Sequence, residues 1–155
     1  MRLALILAFP VLLGAAQPPG EGTEQKVSGK ALPPAVTEAM RNYIKTDAAG
    51  ATVRGYSKEA EEGKTFYGVE LRINGKTRDV TFDPEGKLIS VEQEVEMGSV
   101  PAPVQDALKK AAGKRRITLV EKIEKLGATY YEAHVKKGLF GEDEVKVDAA
   151  GKPVS

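Results

Sequence analysis

With 155 residues the chain can form one ordinary domain or two small ones, and with no cysteine it has no disulfide, no thiol nucleophile and no thiolate metal site. Lysine and arginine number 23 against 22 aspartates and glutamates, so no net field exists to gather nucleic acid or anionic lipid. The densest basic run, Lys114-Arg115-Arg116 beside Lys109-Lys110, reads as the solvated, cationic end of a helix.

The first residues look like a targeting segment. Arg2 is followed by the apolar run Leu3 to Leu13 and by Gly14-Ala15-Ala16, the small residues of a cleavage site, so residues 1–16 are expected to be a signal peptide. The run is interrupted by Pro10 and is shorter than the roughly 20 residues needed to span a bilayer. This predicts export, to the periplasm or beyond the cell, with no stable membrane span left after cleavage. Residues 17–31 are rich in Pro, Gly, Glu and Gln and are expected to be a disordered tether.

From Leu32 the chain repeats itself. Leu32-Pro33-Pro34-Ala35-Val36 with Glu38-Ala39-Met40 returns as Val100-Pro101-Ala102-Pro103-Val104 with Asp106-Ala107-Leu108. Gly63-Lys64-Thr65-Phe66-Tyr67 is echoed by Gly127-Ala128-Thr129-Tyr130-Tyr131, and Asp83-Pro84-Glu85-Gly86-Lys87 by Asp148-Ala149-Ala150-Gly151-Lys152. Two copies of one unit are expected, at residues 32–96 and 97–155.

Each copy opens with a helix. Proline suits the first helical turn, where an amide donor has no partner, and Val36, Ala39, Met40, Tyr43 and Ile44 then recur at helical spacing, as do Val104, Ala107, Leu108, Ala111 and Ala112. After each helix the apolar period drops to 2, the mark of half-buried strands. First strands are expected over 53–60 and 117–126. In the second strands Tyr67, Val69, Leu71 and Ile73 alternate with Gly68, Glu70 and Arg72, while Tyr131, Ala133 and Val135 alternate with Glu132 and His134. Asn74-Gly75 is a two-residue hairpin turn and Asp83-Pro84-Glu85-Gly86 the next reversal, giving strands over 76–83 and 87–95. The matching strands of the second copy are 142–147 and a stub at 152–155. The expected fold class is α+β: two tandem repeats, each a short helix packed on an antiparallel meander of about four strands, the second truncated at its last strand.

The succession Val100-Pro101, then Tyr130-Tyr131-Glu132-Ala133-His134-Val135, then Val145-Lys146-Val147-Asp148-Ala149-Ala150-Gly151-Lys152 resembles the PepSY and PepSY-like domains of exported bacterial proteins, and the resemblance extends over both copies. It implies a helix on an antiparallel sheet, related in architecture to the β-lactamase-inhibitor protein, and a setting outside the cytoplasm. Some members of that family accompany or restrain peptidases, and none supplies a set of functional residues to carry over. The first copy departs from the pattern at Phe66-Tyr67-Gly68-Val69-Glu70-Leu71 and in the charged stretch Lys58 to Lys64.

No reactive constellation is written in the sequence. His134 is the only histidine and, on strand alternation, shares a face with Tyr130 and Glu132, which makes it an ordinary surface histidine; without cysteine or a second histidine, zinc has no evident ligand set. Asp79, Thr81, Asp83 and Glu85 are interleaved with Val80 and Phe82 and read as a hairpin rather than a calcium loop. Glu92, Glu94 and Glu96 alternate with Val91, Gln93 and Val95 as a solvated face. Phe66 and Tyr130 point outward at matching positions and are the expected anchors for a partner, with Glu132 and His134 beside Tyr130. The expected function is a non-catalytic, cofactor-free binding or regulatory module that contacts another envelope protein or restrains a peptidase. The alternative is a binder of a small ligand or of an ion such as calcium in a crevice between the copies.

Overall fold

The computed structural model describes residues 23–61, 63–139 and 141–154. The expected signal peptide lies outside the described residues, and so do residues 17–22 of the expected tether. The elements run β1 (Thr23–Lys26), α1 (Pro34–Asp47), β2 (Thr52–Glu61), β3 (Lys64–Ile73), β4 (Lys76–Phe82), β5 (Leu88–Glu94), α2 (Ala102–Ala112), β6 (Ile117–Lys125), β7 (Ala128–Lys137) and β8 (Gly141–Asp148). The eight strands form a single antiparallel sheet in chain order, each paired to the next.

Both helices start as proline dictates. Pro33 and Pro101 occupy the N-cap positions in extended backbone, with a second proline in the first turn of each helix. The inward stripe of α1, Val36 and Met40, meets Val69, Leu71, Val80 and Phe82, while Val104, Leu108 and Ala112 of α2 meet Val120, Tyr131, Ala133, Val135 and Val147. Directly paired residues of an antiparallel sheet share a face. The register Val69↔Val80↔Val91↔Glu124 and Lys122↔Tyr131, Val120↔Ala133 therefore puts both helices on one side. A polar seam separates the two cores on that side: Arg78 hydrogen-bonds Gln93 and donates from Nη1 to the carbonyl of Asp47 at 2.8 Å, and Lys122 pairs with Glu124 at 2.6 Å.

Two turns hold each helix against its sheet in the same way. The Asp83 and Asp148 carboxylates each accept backbone N–H groups two and four residues on, at 3.1 and 2.8 Å in the first turn and 2.8 and 2.9 Å in the second. Gly86 and Gly151 then take φ of +83° and +80°, and a β-carbon there would lie 2.7 Å from the carbonyl oxygen of Ala35 or 2.5 Å from that of Pro103. Only glycine lets the turn close onto the first helical turn.

Two expectations change. Thr23 to Lys26, placed in the tether by composition, form edge strand β1 against Ser57 to Ala60, continued by a bond from the Val27 amide to the Tyr56 carbonyl at 3.0 Å. Backbone pairing needs no apolar signal, so composition missed it. The second change concerns the junction: β5 pairs directly with β6 from Ser90↔Lys125 to Glu94↔Glu121, so the sheet is continuous there and the expected crevice between the copies is filled by paired strands. The stub at the C-terminus is a single bridge, Val147↔Pro153.

Candidate functional site

The face of the sheet opposite the helices carries the unusual chemistry. Strand alternation and register place two transverse rows on it. One runs Glu70, Asp79, Glu92, Ile123, Tyr130, Asp148, and the next runs Thr77, Glu94, Glu121, Glu132, Lys146. A solvated face would expose these carboxylates, yet Glu121 and Glu132 are buried and Asp79 and Glu92 are largely so. Crowding by side chains of the neighbouring strands, the buried Ile123 among them, removes them from water.

His134 sits at the centre of the second half of this face. The sequence predicts a surface histidine, but its side chain is only 12% exposed. Its Nε2 lies 3.3 Å from Glu121 Oε2 and 3.6 Å from Glu132 Oε1, and its Nδ1 lies 3.7 Å from Glu142 Oε2. Hydrogen bonding to Glu121 and then to Glu132 outweighs burial and pushes its pKa up to about 10. Burial raises Glu132, but the bond to His134 and the Lys146 ammonium, 3.1 Å away, bring it below the usual carboxylate range. Glu142 is also lowered, first by the Thr118 hydroxyl, which donates to it at 2.8 Å. One carboxylate is left over: Glu144, the register partner of His134, has a buried Oε1 with no hydrogen-bond partner among the described residues, and burial followed by Glu132 raises it to about 6.

The centre of the face is different. Asp79 and Glu92 are directly paired across β4 and β5, and among the described residues the one cation that acts on Glu92, Lys146, is held in an ion pair with Glu132. Burial first, then Glu92, Glu121 and Glu70, raise Asp79 to about 7. Glu92 also rises to about 7, through burial and then Glu121 and Glu132. In the next row the Thr77 amide and hydroxyl donate to Glu94 at 3.1 and 3.2 Å. A groove of about 980 Å³ passes over this region, with Glu59, Glu70, Asp79 and Glu92 in its lining and Tyr56, Phe66 and Leu126 among its apolar walls.

The four residues singled out by sequence thus divide. Glu132 and His134 come together, and Tyr130 lies one row away beside Ile123 and Asp148. Phe66 stands four strands from Tyr130, about 19 Å across the sheet, so the two half-buried aromatics form no common patch. Sequence reasoning missed Glu121, Asp79 and Glu92 as a group. Glu121 shares the strand phase of Ile117, Leu119 and Ile123, so alternation gave no signal for it, and only the register of β6 against β7 brings it to His134.

Comparison with known proteins defines the class through its fold. No family model matches the sequence, and no curated protein matches it. Solved structures do. A DUF2874 family protein from Bacteroides ovatus is 15% identical with a TM-score of 0.62, over 82% of this chain and 87% of that one. A chain from Bacteroides eggerthii, named for an inferred periplasmic location, is 16% identical with a TM-score of 0.63, over 80% and 86%. A BLIP-like protein from Bacteroides fragilis is 19% identical with a TM-score of 0.57, over 80% and 85%. The chain has their fold: α+β, one eight-stranded antiparallel sheet and two helices, in the BLIP-like arrangement.

Proposed function

We propose that this chain is an exported, non-catalytic binding module made of two PepSY-like copies, and that it docks another envelope protein on the polar face of its sheet. The observation that carries this reading is the pair Asp79 and Glu92. Two mostly buried carboxylates face each other with no counter-charge of their own among the described residues, and they line a groove on the side that the two helices leave open. A partner that inserts a lysine or arginine there supplies the missing charge, while Phe66, two rows away on the same face, offers apolar contact.

Export is supported by the leader-like residues 1–16 and by the periplasmic name of one structural neighbour. Among the described residues no helix is long and apolar enough to cross a membrane. Duplication is supported by the matching proline caps and by the paired turns at Asp83 and Asp148. The non-catalytic reading is supported by His134, whose two ring nitrogens face, among the described residues, the carboxylates of Glu121, Glu132 and Glu142 and no nucleophile.

The test compares co-purification from the native envelope fraction for the wild type, for Phe66→Ala with Tyr130→Ala, and for Asp79→Asn with Glu92→Gln. A protein held by the wild type in a salt-sensitive way and lost from the charge-neutral variant supports the reading. Retention of every partner by both double variants removes the polar face from consideration.

A further inference from the structure

The geometry points to a zinc site at Glu121, Glu132 and His134, formed across β6 and β7 and independent of protein docking in the groove. Three potential ligand atoms, one from each side chain, lie within 4.8 Å of one another. Zinc bound tetrahedrally at about 2.0–2.1 Å from nitrogen and oxygen requires its ligand atoms to be about 3.3–3.4 Å apart. His134 Nε2 stands 3.3 Å from Glu121 Oε2 and 3.6 Å from Glu132 Oε1. The spacings of this imidazolium–carboxylate cluster are thus close to those of a tetrahedral site, and zinc binding there displaces the ring proton of His134.

The surroundings match what a metal needs. Glu142 faces the other ring nitrogen of His134, the carboxylate that orients a ligating imidazole, and Lys146 holds the free oxygen of Glu132. The carboxylates Glu121, Glu132, Glu142 and Glu144 outnumber the ammonium groups paired with them, Lys136 and Lys146, and this excess of negative charge favours a dication. Glu144 adds a separate observation: it is the cross-strand partner of His134, and its Oε1 is buried without a hydrogen-bond donor. An unpartnered carboxylate oxygen needs an explanation, and a bound ion is one that the neighbouring ligand atoms supply. The ligand set also selects the metal. Calcium takes six to eight oxygen ligands, whereas one nitrogen and two carboxylates suit zinc, with a fourth position open to solvent on this face.

The experiment is metal binding by the purified protein, without a polyhistidine tag, using zinc chloride, calcium chloride and, as a spectroscopic probe, cobalt(II). Expected are one zinc per chain after dialysis, a rise in melting temperature with zinc and none with calcium, and a visible cobalt spectrum of the intensity typical of four-coordination. His134→Gln, Glu121→Gln and Glu132→Gln should each weaken zinc by on the order of 100-fold or more, and Glu142→Gln by about 10-fold through the ring it orients. The cobalt spectrum of the wild type keeps the proposal testable if a variant fails to fold. Zinc uptake that survives all three ligand substitutions, a folded wild type that takes up no zinc, or calcium bound through these same residues in its place would overturn it.

Discussion

The hairpins β2–β3 and β6–β7 present the same frame with opposite contents. Each is bulged near its start, between Val53 and Gly55 in one and between Ile117 and Leu119 in the other. Ser57↔Gly68 and Glu121↔Glu132 then fall at matching places on the polar face, followed by Glu70 and His134. In the first half these positions hold a hydroxyl and a bare backbone packed so closely that a β-carbon at Gly68 would strike the Ser57 side chain. In the second half they hold two buried carboxylates around an imidazolium. A shared backbone therefore sets where a site can be, and side-chain choice decides which half has one.

The comparison can be broken most severely in the cores. Leu71→Ala and Leu108→Ala each empty a fully buried position under one helix and should each cost about 2–5 kcal/mol in urea unfolding. Because β5 and β6 join the halves, both should shift a single transition; two separate transitions would show that the halves are independent. Next come Gly86→Ala and Gly151→Ala, at positive φ against a helix carbonyl, each expected to cost about 1–3 kcal/mol and to do so equally if the two turns are equivalent.

The third pair separates the faces. His134→Gln strips the counter-charge from Glu121 and should cost about 1–3 kcal/mol at neutral pH, whereas Glu70→Gln at the matching, exposed position should stay within about 0.5 kcal/mol. Equal effects from the two substitutions would contradict the difference in burial. The smallest effect is a pH slope. Asp79 and Glu92, ordinarily near 4, titrate at about 7 in the fold, so the native state binds protons more tightly than the unfolded chain between those values. Stability should fall as pH rises from 4 through 7, with His134, raised to about 10, adding to the fall above its usual 6.5, so the melting temperature should drop between pH 5 and pH 8. Glu92→Gln should flatten that slope.

Particular residues show how far a linear reading carries. Pro33, Pro101 and the 3.6-residue stripes announced both helices, and Asn74-Gly75 and the Asp-Gly-Lys turns announced the meander, because caps, periods and turns are local preferences. Alternation also put Glu132 and His134 on one face correctly. It failed on their exposure, since β7 lies inside the sheet and side chains from β6 and β8 crowd it on both sides. β1 was invisible because Thr23-Glu24-Gln25-Lys26 pairs through its backbone.

Helix stripes, strand phases and reversals are encoded within a few residues of one another, so the chain alone specified short helices followed by antiparallel meanders of strands. The meeting of Glu121 with His134, thirteen positions away, and of Asp79 with Glu92 depends on strand register, a relation between distant segments that arises only when the sheet assembles. Register is settled by which faces bury their apolar side chains, and the carboxylates on the other face follow wherever it takes them.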